Sequence, residues 1–113
     1  MSLKFYKLDN EVIYSYQELN LEEISVGTVD AAREKHVPEV KQEGNKVMVQ
    51  VGSVIHPMLD NHYIGFILLE TNKGLHKMIL KPGDEPKASF LLSDGEELVS
   101  VYEHCNLHGM WKA

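Results

Sequence analysis

At 113 residues, 43% hydrophobic and 25% charged, the chain has room for one domain with its own core, or one domain plus an appendage. A formal net charge of -6 with no long basic stretch excludes general binding to nucleic acid or to an anionic membrane surface. A single cysteine excludes a disulfide framework, a four-cysteine metal site and a CxxC redox pair.

Lys4 and Lys7 are followed by no apolar run of the signal-peptide kind, and no stretch approaches the ~18–20 apolar residues of a membrane-spanning helix. A cytoplasmic location with a reduced thiol is the expectation. Residues 1–27 hold Tyr6, Tyr14 and Tyr16 in an acidic background, with Asp9-Asn10 as a turn. This segment is expected to be irregular or a short hairpin, with a helical turn near Leu19 to Ile24.

From residue 28 the pattern is β. Lys46 to Gly52 alternates as a half-buried strand does, and Tyr63 to Thr71 is apolar and long for one strand. Strand character resumes over Leu75 to Lys81, Ala88 to Leu92 and Leu98 to His104. These runs are parted by Asn72-Lys73-Gly74, Pro82-Gly83-Asp84 and Ser93-Asp94-Gly95. Such spacing predicts an antiparallel sandwich or barrel, and no long helical apolar period is present.

Three clusters carry candidate chemistry. Cys105-Asn106-Leu107-His108 places a thiol and an imidazole three residues apart, a spacing that one ion can bridge from a tight loop whose backbone N–H groups face the sulfur. His56 and His62 flank Pro57 and the turn residues Asp60-Asn61. Glu34-Lys35-His36 precedes Val37-Pro38, which favours an extended or turn backbone. Each cluster alone is ordinary: a buried free thiol, loop histidines, a solvated charged loop. Together they put four histidines and one cysteine on three loops of a β-rich chain. Five ligands are one too many for a tetrahedral zinc site, whereas imidazoles with a thiolate suit iron or copper. His76 reads as a surface or edge residue. His104 is turned away from Cys105 by strand alternation.

These motifs, from Thr28-Val29-Asp30-Ala31-Ala32 through Glu34-Lys35-His36-Val37-Pro38 and His56-Pro57-Met58 to Cys105-Asn106-Leu107-His108-Gly109-Met110-Trp111, resemble superoxide reductases of the neelaredoxin/desulfoferrodoxin family. The resemblance covers roughly residues 28–113. It implies an all-β fold, an immunoglobulin-like seven-stranded antiparallel β-sandwich with a short N-terminal extension. It further implies a mononuclear non-haem iron with His36, His56, His62 and His108 as equatorial ligands and Cys105 as the axial one. Glu34 would close the sixth position in the ferric state, and Lys35 would be the cation near the open site. The implied reaction is one-electron reduction of superoxide to hydrogen peroxide, with a rubredoxin-like electron donor and a homo-oligomer, dimer or tetramer. Two-domain relatives carry a four-cysteine iron site at the N-terminus. Residues 1–27 here start similarly, at Lys4-Phe5-Tyr6-Lys7, but hold no cysteine, so they are expected to be a cysteine-free remnant of a rubredoxin-like domain with no second iron centre. His104 stands where an aromatic residue is the commoner choice. The alternative of another class is a cupredoxin-like electron carrier with Cys105, His108 and Met110 as copper ligands.

Overall fold

A computed structural model describes residues 2–113. Its strands are β1 (Lys4–Leu8), β2 (Glu11–Ser15), β3 (Glu22–Ile24), β4 (Pro38–Glu43), β5 (Lys46–Val51), β6 (Ile64–Thr71), β7 (Gly74–Ile79), β8 (Lys87–Leu91), β9 (Leu98–Cys105) and β10 (Gly109–Lys112), with one helical turn, α1 (Arg33–His36), before β4. Three antiparallel sheets result, in the orders β2-β1-β3, β10-β9-β6-β7 and β4-β5-β8. The last two, of four and three strands, form the expected seven-stranded sandwich.

The alternation of β5 and β8 points Val47, Val49, Val51, Ala88 and Phe90 into the sandwich core. β6 is buried along almost its whole length because both of its faces are covered. Ile67 and Leu69 face the sandwich core, while Phe66 and Leu68 face a second core shared with Leu3, Phe5, Tyr102 and Met110. A register shift between Ile64 and Phe66 breaks the two-residue period, so Ile64 and Ile67 both enter the sandwich core. β9 divides likewise: Val101 and Cys105 point inward, Tyr102 outward.

In the N-terminal segment β1 and β2 form the expected hairpin around Asp9-Asn10, but the expected helical turn near Leu19 to Ile24 is absent. The segment is a three-stranded sheet, and Glu22–Ile24 pairs with β1 instead. Phe5, with no exposed surface, supplies the reason: an apolar residue here has the outer face of the four-stranded sheet to cover. Tyr16 Oη donates to Glu70 Oε2 at 2.6 Å, and Gly27 N–H donates to Met110 O at 2.7 Å, which ties this sheet to the sandwich. The strands β4 and β10 are additional to the expected ones, while α1 is the turn expected before Pro38.

Candidate metal centre

Each candidate ligand is set by local backbone. His36 ends α1, a turn closed by Val37 N–H donating to Arg33 O at 2.8 Å and stopped by Pro38. Gly52 packs directly beneath this turn, where a Cβ would lie 2.5 Å from the Glu34 carbonyl oxygen. That oxygen accepts from Val54 N–H at 2.9 Å and Ser53 Oγ at 3.2 Å. The 52–54 loop thus holds the first cluster from below, while His56 leaves the same loop with its own N–H on Val51 O at 2.9 Å. His62 is framed by a small bridge to Leu59. Asn106 staples the thiol loop to this one: its Oδ1 accepts from Tyr63 N–H at 2.8 Å and its Nδ2 donates to Asn61 O at 3.1 Å.

These loops converge at one end of the sandwich. Ligand atoms of His36, His62, Cys105 and His108 all lie within 4.8 Å of one another. His56 joins them, its Nε2 at 3.3 Å from His36 Nε2 and 3.5 Å from Cys105 Sγ. His108 presents Nδ1, at 3.1 Å from His36 Nε2 and 3.8 Å from the sulfur. His36, His56 and Cys105 are buried; His62 and His108 are half-buried. The spacings within each motif therefore do bring the predicted residues together.

Whether a cation fits can be read from the nitrogens. His36 Nδ1–H donates to Ala32 O and His56 Nδ1–H to Pro57 O, both at 2.7 Å. Each ring is thereby fixed in the tautomer with its lone pair on Nε2. Two such lone pairs face each other at 3.3 Å, and neither nitrogen has a proton to give the other. Among the described residues, His62 Nε2 is buried with no hydrogen-bond partner. A cation among these nitrogens satisfies all three. Burial lowers the pKa of His36, His56 and His62, that of His56 to about 4, so the rings are neutral near pH 7 as metal ligation requires. Burial raises the Cys105 thiol, while N–H groups of Leu107 and His108 directed at the sulfur oppose that shift.

Glu34 and Lys35 are exposed on the turn carrying His36. The Lys35 charge helps to lower the His62 pKa, after burial and His108, and the Glu34 charge opposes the lowering at His36. Among the described residues, no carboxylate belongs to the group of converging ligand atoms. His76, on the edge strand β7, bonds Glu96 at 2.8 Å. His104 stacks on Phe66 at 5.4 Å between ring centroids, on the face of β9 opposite Cys105. Met110 is buried in the second core beside Phe5 and Tyr102, whereas Cys105 lies in the sandwich core. β10 alternation turns Met110 away from the thiol, which removes the copper reading's third ligand.

Two residues near the centre carry no sequence signal of their role. Glu103, with no exposed surface and no partner on either oxygen, faces inward two residues before Cys105; burial pushes its carboxyl up to about 9, so it is neutral at pH 7. Trp111, 1% exposed, lies against His36. A glutamate in an apolar strand and a tryptophan near a C-terminus both read as ordinary until the sheet pairs them across β9 and β10.

The desulfoferrodoxin family pattern matches residues 28–113. A desulfoferrodoxin homolog of Archaeoglobus fulgidus is 48% identical over 90 residues, covering 80% of this chain and 70% of its own. Desulfoferrodoxin of Nitratidesulfovibrio vulgaris is 47% identical over 87 residues, covering 77% and 68%. Among solved structures, the superoxide reductase from Treponema pallidum superposes with a TM-score of 0.84 at 37% identity, over 100% of this chain and 99% of that one. The superoxide reductase of Giardia intestinalis gives 0.62 at 38% identity, over 71% and 95%. With a family pattern over residues 28–113 and relatives nearly half identical to it over the aligned residues, the chain belongs to the desulfoferrodoxin family.

Proposed function

We propose that this chain is a superoxide reductase, reducing superoxide to hydrogen peroxide at a mononuclear non-haem iron held by His36, His56, His62, His108 and Cys105. The observation that carries this reading is the convergence of unprotonated imidazole nitrogens on one buried thiol. Family membership and the superoxide reductases among its structural neighbours supply the substrate. Iron, when bound, supplies the single electron that superoxide accepts.

The chain's own residues do the rest. Cys105, as thiolate, sends charge toward the metal, moderated by the N–H groups of Leu107 and His108. Lys35 provides the local attraction that a chain of net charge -6 otherwise lacks. In bulk water a unit charge at ~6 Å contributes about 0.7 kcal/mol, and more where solvent is partly excluded. The same ammonium orients the water that brings a proton. Superoxide takes up one electron and two protons and leaves as hydrogen peroxide. Glu34, on the turn that carries His36, would be the carboxylate available as a further ligand to oxidised iron. Electrons would be returned by a rubredoxin-like one-electron donor, in the cytoplasm and in a homo-oligomer. Residues 28–113 form the iron-binding domain, and residues 1–27 are a cysteine-free remnant of the domain that holds a second iron in longer relatives.

The test is the visible spectrum of iron-loaded protein with metal analysis. The expected result is about one iron per chain and a broad long-wavelength thiolate-to-ferric band, bleached by ascorbate and restored by superoxide. A chain that takes up iron without that band, or whose ferrous form ignores superoxide, overturns the proposal.

A further inference from the structure

We propose that Trp111 is a positioning residue for the metal centre, bracing His36 through its ring and His108 through its indole N–H. The inference rests on the metal-site reading above.

Trp111 is the only tryptophan in the chain, and it is almost completely buried. Its ring lies 5.0 Å from that of His36, centroid to centroid, at an interplanar angle of 31°, so one face of the imidazole rests against the indole. The other fixed point of His36 is Nδ1 on Ala32 O, and the two together leave the ring little freedom to turn. At the same time Trp111 Nε1–H donates to His108 O at 3.0 Å. His108 is therefore held at its carbonyl by the indole, with its ring Nδ1 3.8 Å from the Cys105 sulfur. One side chain thus couples the first ligand in the chain to the last, 72 residues apart, at the point where their nitrogens approach to 3.1 Å.

β10 makes this possible. Gly109, at φ +77, turns the chain directly after His108, and pairing of Trp111 with Glu103 sets the indole on the inner face of the sheet. Losing the indole bond releases the His108 carbonyl. The tight loop then relaxes, and the His108 ring and the Cys105 sulfur lose their fixed spacing. Ligands held less firmly would bind a metal more weakly and change its potential and its thiolate band.

The experiment compares wild type, Trp111→Phe, Trp111→Leu and Phe5→Leu for cobalt(II) affinity by chelator competition, and for potential and band position after iron loading. Phenylalanine keeps a ring on His36 and loses the N–H; leucine loses both. Loss of an outer partner of a metal ligand typically costs 10- to 100-fold in affinity. The expected result is about tenfold weaker cobalt binding for Trp111→Phe and nearer 100-fold for Trp111→Leu. Both should show a changed potential and a shifted band. Phe5→Leu loosens the second core without touching a ligand and should lower the melting temperature alone. Equal affinity and an unmoved band in the Trp111 variants, or an equal shift in Phe5→Leu, overturn the inference. Should both variants fail to fold, the wild-type indole N–H decides: zinc loading is expected to slow its hydrogen exchange at least ~10-fold, and unchanged exchange overturns the inference. Wild type that binds neither cobalt nor iron overturns the metal-site reading, and this inference with it.

Discussion

Lys35 and Glu34 differ from the ligands beside them in being exposed, and that difference decides how each can be probed. The ligands are packed into three loops, so replacing one removes metal and disturbs structure together. Lys35 is the proposed source of attraction for an incoming anion, and its charge helps to lower the His62 pKa, after burial and His108. Lys35→Ala is expected to reduce the second-order rate with superoxide about 3- to 10-fold, from an electrostatic term of roughly 0.7 to 1.4 kcal/mol, with iron content and band position unchanged. Stopped-flow or pulse-radiolysis rates at low salt provide the check. An unaltered rate would remove Lys35 from the mechanism. Gly52 acts from below the same turn: any side chain there meets the Glu34 carbonyl and displaces the residues that carry Lys35 and His36. Nothing in the chain around Gly52 announces this, since a glycine after a strand ordinarily marks a turn.

At the scale of elements, the far end of the sandwich is fastened by polar contacts, in contrast to the metal end, whose lone pairs are left for a cation. Glu96, in the loop between β8 and β9, accepts from Thr71 Oγ1 at 2.5 Å, from His76 Nε2 at 2.8 Å and from Ser93 N–H at 2.9 Å. It joins the end of β6, the edge strand β7 and its own loop. These bonds, Thr71 first, hold its carboxyl down at about 2. A carboxylate with a depressed folded-state pKa stabilises the fold above its ordinary value near 4.5, and that contribution fades as pH falls toward 2. Glu96→Gln is therefore expected to lower the melting temperature at pH 7 and to lose less of it between pH 4.5 and 2 than wild type does. Parallel melting curves across that range would refute the assignment. His76 has a structural partner here, in keeping with its reading as an edge residue.

At the scale of the molecule, two cores share one sheet. The sandwich core carries Cys105 at its end, and the second core, under the N-terminal sheet, carries none of the ligands. Removing residues 1–24 would uncover Phe66, Leu68, Tyr102 and Met110 together. Each large apolar side chain returned to water costs ~1.5–3 kcal/mol, and 1 kcal/mol moves the midpoint of a domain this size by ~4–8 °C. The shortened chain is expected to melt roughly 10 °C lower or more and to self-associate by light scattering, while still binding cobalt at the thiol. Loss of metal binding in a folded shortened chain would show that the N-terminal sheet builds the centre as well as covering the sandwich. The latch between the two parts has its own pH range. The Glu70 hydrogen bond raises Tyr16 to about 12, so its contribution is whole below pH 10 and is lost as pH rises toward 12.

The amino-acid sequence by itself determined the β class, most strand positions from β5 onward, and the set of candidate ligands. Those features follow from local pattern: alternation sets which residues can face a core, and turn residues at Pro57, Asp60 and Gly109 mark loops able to hold a ligand. Only the tertiary structure decided what the two sides of each strand meet. It turned the expected hairpin into a three-stranded sheet over Lys4–Ile24, because the apolar residues Leu3 and Phe5 acquire a partner surface only once β6 and β9 are in place. It separated Met110 from Cys105, since strand parity places neighbours on opposite faces. It also brought Trp111 against His36 and opposite Glu103, contacts between residues far apart in sequence or across paired strands, which no local spacing encodes.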